Sequence, residues 1–143
     1  MRITIDRLGH LGDGIALTDS GTIYASGLLP GEVAEGELQG DTLVNTRIVT
    51  PSALRVKPPC SHAKTCGGCL MQHATDAFVA EWKESIIRGA LAGQGLEAPF
   101  RPIATSPARS RRRATLTGRK TKGGALLGFH ARASDLLLPV PNC

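Results

Sequence analysis

Met1-Arg-Ile-Thr-Ile-Asp-Arg-Leu-Gly-His-Leu-Gly-Asp-Gly-Ile-Ala-Leu17 opens the stretch, residues 1–49, whose reading decides the fold. Ile3 and Ile5 alternate with Arg2, Thr4 and Asp6, the period-2 pattern of a half-buried strand. Gly9, Gly12, Asp13 and Gly14 make a turn, and Ile15 to Leu17 and Thr22 to Ala25 flank the turn residues Asp19-Ser20-Gly21. Leu29-Pro30-Gly31-Glu32 is a further turn. Val33 to Leu38 and Thr42 to Val49 alternate again around Gln39-Gly40-Asp41. About five short strands in so short a segment predict a small closed barrel, because closure removes exposed strand edges, with a small open sheet as the alternative.

Beyond the prolines 51, 58 and 59 the pattern changes. A Gly-rich loop runs from Cys60 to Cys69. From Ala74 to Leu91 the apolar residues Phe78, Val79, Trp82, Ile86, Ala90 and Leu91 fall on one stripe at helical spacing, which predicts an amphipathic helix with a buried face, stopped near Gly93 and Gly95. Arg113–Thr117 and Ala125–His130 read as a hairpin around a turn from Gly118 to Gly124, and Leu136–Val140 as a last strand. The fold class expected is mainly β (α+β).

The 143 residues carry 17 Lys and Arg against 12 Asp and Glu, a net charge of +5, with 41% apolar and only 3% aromatic residues. Residues 1–59 are net −2 and residues 60–143 net +7. No acidic residue falls between Glu97 and Asp135, a stretch holding Arg101, Arg109, Arg111, Arg112, Arg113, Arg119, Lys120, Lys122 and Arg132. Such a segment reads as a surface for a polyanion, with a merely solvated face as the alternative. The longest apolar run, Leu136 to Val140, is far short of the roughly 20 residues a membrane helix needs. Met1 to Arg7 does not resemble a signal peptide. A cytoplasmic protein without membrane contact is expected, and in a reducing compartment four cysteines favour metal ligation over disulfides.

Those cysteines are Cys60, Cys66, Cys69 and the terminal Cys143. Three thiols in ten residues, with Gly67 and Gly68 between two of them, are hard to explain as packing. Thiolates prefer soft metals. Zinc usually takes two close pairs of ligands, and here only one C-x2-C exists, although His62 or His73 could fill a place. Three close cysteines and one distant suit a [4Fe-4S] cluster better, with zinc second and no metal third. There is no Gly-rich loop between a strand and a helix, so no methyl-donor or dinucleotide pocket is legible, and no complete active site either.

Three blocks in order resemble a known family. Ile5-Asp-Arg-Leu-Gly-His-Leu-Gly-Asp-Gly-Ile-Ala-Leu17 with Leu29-Pro-Gly-Glu-Val33 resembles the opening of the TRAM barrel, an OB-like fold. Cys60-x5-Cys66-Gly-Gly-Cys69-Leu-Met-Gln-His73 is similar to a cluster loop. Ser110-Arg-Arg-Arg-Ala114, Leu127-Gly-Phe-His130, Arg132, Ser134 and Cys143 resemble a central RNA-binding domain. All three are similar to the N-terminal part of the iron–sulfur-containing, S-adenosylmethionine-dependent RNA uracil-5 methyltransferases, the group of the 23S ribosomal RNA enzymes. The resemblance implies a TRAM-like barrel over 1–58, a cluster loop over 59–73, a helix over 74–95 and the start of the RNA-binding domain over 96–143. It implies a [4Fe-4S] cluster on Cys60, Cys66, Cys69 and Cys143, structural and not redox-active in the reaction. For an RNA partner, the acid-free basic stretch offers Arg111, Arg112, Arg113, Arg119, Lys120, Lys122 and Arg132 as contacts, and Tyr24 and Phe129 are the available aromatic platforms, with burial in the core the equal alternative for each.

Members of that family attack C6 of a target uracil with a cysteine thiolate, and the activated C5 takes the methyl group. The methyl-donor site, nucleophile and base come later than the residues matched here, in enzymes about three times this length. The chain is therefore expected to be a monomeric, truncated portion that binds a cluster and RNA and does not methylate alone. A stand-alone metal-stabilised RNA-binding module is the alternative, and a zinc-ribbon-like interaction protein a third reading.

Overall fold

The computed structural model describes residues 1–108 and 110–143; Arg109 of the basic stretch lies outside them. The chain divides into two compact units, residues 1–57 with 73–103, and residues 58–72 with 104–143.

The first unit is built on a six-stranded sheet. Its strands are β1 (Arg2–Thr4), β2 (Arg7–Leu8), β3 (Gly14–Thr18), β4 (Gly21–Ala25), β5 (Val33–Gln39) and β6 (Thr42–Thr50), in the order β1-β5-β6-β4-β3-β2. The two edges, β1 and β2, are halves of one stretch of seven residues. β1 pairs antiparallel with β5 through Ile3↔Ala34, and β2 pairs with β3 through Arg7↔Ile15. Between them the Ile5 amide donates to Glu32 O at 2.9 Å and the Asp6 amide to Ile15 O at 2.8 Å. A single segment thus bridges both ends of the sheet, which curls it into a barrel-like body. The alternation of Ile3 and Ile5 explains the inside of the curl: both are buried with Ala16, Ile23, Ala25, Leu28, Ala34 and Leu43. Each large aliphatic side chain so buried stabilises by about 1.5–3 kcal/mol.

Glu32 is the buried charge of this unit. Its carboxylate is fully enclosed and accepts from the Leu29 amide at 2.9 Å, the Ser52 amide at 3.3 Å and the Arg55 guanidinium, whose Nη2 is 2.8 Å away. Arg55 Nη2 also donates to Gly27 O at 2.7 Å. Burial pushes the Glu32 carboxyl up, but the Arg55 guanidinium and the two amides outweigh it and hold it below the usual carboxylate range. Glu32 therefore ties the 27–33 turn to the residues leaving β6.

Helix α1 (Asp76–Ala92) follows. Thr75 stands at its start in extended conformation, and Asp76 places a negative charge in the first turn, where the helix dipole favours it. The last turn closes on Gly93 and on Gly95 in the left-handed region, with the Leu96 amide donating to Leu91 O at 3.0 Å. The buried face expected for this helix is not found: none of its residues is fully buried. Phe78, Trp82 and Ile86 instead line an open groove of about 820 Å³ with Leu8 to Leu11, Ile15 and Tyr24. Trp82 Nε1 donates to Gly9 O at 3.2 Å.

The second unit holds a three-stranded antiparallel sheet, β7 (Thr117–Thr121), β8 (Gly124–His130) and β9 (Leu137–Pro139), in that order. The hairpin expected around a turn from Gly118 to Gly124 forms in a different register. Thr117↔Gly128 and Thr121↔Gly124 pair, leaving only Lys122 and Gly123 to turn. Gly118 lies inside β7, opposite Leu127, whose Cδ2 would stand 3.1 Å from a β-carbon there. Gly118 is thus a strand residue and not part of the turn. Gly128 is stricter: a β-carbon would fall 1.7 Å from Leu138 O.

Candidate cluster site and nucleic-acid surface

All four cysteines belong to the second unit and all four thiols are free. Cys66 is buried, Cys60 half-buried, and Cys69 and Cys143 exposed. The 60–69 loop is fixed against the end of β8. The Gly67 amide donates to His130 O at 2.9 Å, the Arg132 amide to Thr65 O at 3.0 Å, and Cys66 and Ala131 form a bridge. The two glycines leave little room for a side chain, most clearly at Gly67, which faces backbone. A β-carbon at Gly67 would stand 3.0 Å from His130 O, and one at Gly68 3.3 Å from the Phe129 ring and 3.4 Å from Cys66 Sγ.

Two sulfurs already accept backbone hydrogen bonds. Cys66 Sγ takes one from the Gly68 amide at 3.3 Å, and Cys60 Sγ one from the His62 amide at 3.4 Å. His62 Nε2 lies 3.1 Å from Pro141 O, two residues before Cys143. The donor set therefore fits a thiolate-ligated group in chemistry and in membership of one unit. Among the described residues, no three His, Cys, Asp or Glu side chains stand close enough to hold a metal ion. His73, the other histidine considered, falls in the first unit, where it is buried and its carbonyl accepts from the Val56 amide at 2.9 Å.

Arg111, Arg112, Arg113, Arg119, Lys120 and Lys122 are all exposed. Alternation along β7 sends Arg119 and Lys120 to opposite faces of the hairpin. Arg119 Nη2 reaches Asp135 O at 3.5 Å, and Arg111 Nε donates to Arg113 O at 3.1 Å. Arg132 is half-buried and turned to the loop, its Nη2 3.5 Å from Ala63 O. Of the two aromatic platforms, Tyr24 is exposed, while Phe129 is half-buried beneath Gly68. Sequence reasoning did not single out His62 as a link between the loop and the tail. No local signal could have, since its partner lies 79 residues away. No helix among the described residues is long and apolar enough to cross a membrane.

The thiol set and the exposed basic residues share one unit, and the chain is similar to RNA methyltransferases. It is 35% identical over 99% of its length to an uncharacterized RNA methyltransferase of Brucella suis, and 39% identical over 99% to one of Caulobacter vibrioides. It is also 32% identical over 97% of its length to the 23S rRNA (uracil(1939)-C(5))-methyltransferase RlmD of a Marinomonas strain. It spans 34%, 35% and 33% of these three proteins, about a third of their length. No family model matches the chain.

Proposed function

We propose that this chain is the RNA-binding and [4Fe-4S]-binding portion of an S-adenosylmethionine-dependent RNA uracil-5 methyltransferase acting on 23S ribosomal RNA. In this reading residues 1–58 are a TRAM-like OB barrel and 96–143 the start of a central RNA-binding domain. The observation that carries it is that four thiols and nine of the seventeen basic residues fall in one unit. The similarity to RNA methyltransferases over nearly the whole chain supports it.

Cys60, Cys66, Cys69 and Cys143 would hold the cluster. When bound, it supplies four iron–thiolate bonds that cross-link the 60–69 loop to the tail, and methyl transfer asks no electron of it. Arg111, Arg112, Arg113, Arg119, Lys120 and Lys122 would bind phosphates, and the arginine guanidinium planes can also stack on unpaired bases. The half-buried Arg132 would add a charge beside the loop. The chain's own task is then to bind and orient RNA, while the methyl donor, the nucleophile and the base are supplied from outside residues 1–143. S-adenosylmethionine therefore does not bind here, and no methylation is expected.

Anaerobic purification followed by iron, zinc and acid-labile sulfide analysis tests this. About four iron and four sulfide per chain with broad visible absorption is the expected result. One zinc and no sulfide would overturn the cluster and favour a zinc-stabilised binding module.

A further inference from the structure

One histidine touches the frame of three of the four cysteines. The His62 amide donates to Cys60 Sγ at 3.4 Å. Its carbonyl accepts from the Thr65 amide at 3.1 Å and from the Cys66 amide at 2.8 Å, which sets where Cys66 sits on the loop. Its ring Nε2 is 3.1 Å from Pro141 O. That carbonyl belongs to the turn carrying the last cysteine: the Cys143 amide donates to Val140 O at 3.2 Å, and Asn142 lies in the left-handed region. A carbonyl only accepts, so the ring must carry its proton on Nε2 to make this bond.

The need for such a link follows from the chain. Cys143 is 74 residues from Cys69 and is exposed. Among the described residues, no three candidate ligands stand together. Closing a loop of that length costs chain entropy whatever follows it. A contact that already holds the tail lowers that cost for the fourth ligand.

We infer that His62 is a positioning residue that keeps Cys143 within reach of the three-cysteine loop, so that the fourth thiolate closes the site and stays in it. The role in metal retention rests on the proposed cluster; the latch itself does not. His62 binds no metal in this scheme, and acts through Pro141 on the tail and through its own backbone on Cys60 and Cys66.

Two measurements on the full chain separate the latch from the cluster. In the reduced, metal-free chain, disulfides are formed with diamide and mapped by mass spectrometry over time. His62→Ala should slow cross-links between Cys143 and the loop about fivefold, the factor one hydrogen bond of ordinary net strength is worth. Cross-links within the loop should keep their rate, and His62→Gln, which retains an amide donor, should recover much of the loss. In the anaerobically reconstituted chain, His62→Ala should lose iron to a chelator about fivefold faster than the parent. Unchanged Cys143 cross-linking in His62→Ala overturns the latch. An equal slowing of both kinds of cross-link also overturns it, because His62 would then only support the loop. A parent chain that takes up no iron defeats the cluster reading, while the cross-linking result still decides the latch.

Discussion

Twelve of the fourteen fully buried apolar residues among those described lie in residues 1–57 and 73–103, and only Cys66 and Leu137 lie in 58–72 and 104–143. Charge divides the other way. The first unit carries eleven acidic and eight basic residues, a net of −3; the second carries one acidic and nine basic, a net of +8. One unit is held by a curled sheet around aliphatic side chains and a buried ion pair. The other has Leu116, Leu127 and Leu136 exposed and a self-repelling charge. A unit of that size with almost no core needs a staple, and its four thiols are the groups able to provide one.

The sharpest way to break this contrast is to remove metal. With the cluster bound, a strong chelator under reducing conditions should unravel the second unit, because structural metal binding supplies folding energy on the order of 10 kcal/mol. Amide exchange over 60–69 and 124–139 should accelerate at least about a hundredfold, while residues 14–50 stay protected. Equal acceleration in both regions would mean that the first unit's core does not stand on its own.

Gly128→Ala attacks the second unit without touching a ligand. The added β-carbon would overlap the Leu138 carbonyl oxygen, a backbone atom that no rotamer change can move. A cost of about 3–4 kcal/mol is expected, read as lost protection over β8 and β9. Retained protection there would show that the β8–β9 pairing is looser than its register indicates.

The matching test in the first unit is Arg55→Ala. It leaves the enclosed Glu32 carboxylate without its guanidinium, and breaking such pairs costs about 3–5 kcal/mol. The lower end is expected, because 23% of the Arg55 side chain is open to solvent. A loss below about 1 kcal/mol in urea unfolding would reduce the clamp to a surface pair. The same carboxylate sets a pH dependence. Its native pKa is lowered, so its contribution is fully present above the unfolded value of about 4.3 and is lost as pH falls through the lower native value. Glu32→Gln should flatten the acid limb of the stability curve, and an unchanged limb would mean that other carboxylates carry it.

These residues also show what could be read in advance. The strands of the first unit were legible because Ile3, Ile5, Ile23 and Leu43 alternate with polar residues and face one interior. β2 was missed because two residues are too few for a period, and its pairing depends on hydrogen bonds to Ile15 that no pattern encodes. Glu32 reads as a surface turn residue in Leu-Pro-Gly-Glu; its buried partners Ser52 and Arg55 lie 20 and 23 residues later. The apolar stripe of α1 reads in the sequence as a buried face, but Phe78, Val79, Trp82, Ile86 and Leu91 are only half-buried, because periodicity reports a face and not what covers it. Gly118 reads as turn because glycine is a turn signal, whereas it pairs with Leu127 inside β7. The cysteines stood out by spacing alone, whereas the loop's attachment through His62, His130 and Arg132 came from long-range pairing.

The smallest expected effect separates the basic residues from one another. Arg119 and Lys120 are adjacent in sequence and on opposite faces of the hairpin. An RNA strand lying along one face meets one of them and not the other. Each phosphate contact to single-stranded RNA contributes about 0.7 to the slope of log affinity against log salt. Alanine at the contacting position should lower that slope by about this much, and alanine at the other should leave it nearly unchanged. Fluorescence anisotropy with a labelled oligonucleotide at several salt concentrations reads the difference. Equal losses at both positions would mean that charge alone, regardless of face, draws RNA to the second unit. Unequal losses would identify which side of β7 the RNA follows, and would turn the charge contrast between the two units into a surface with a direction.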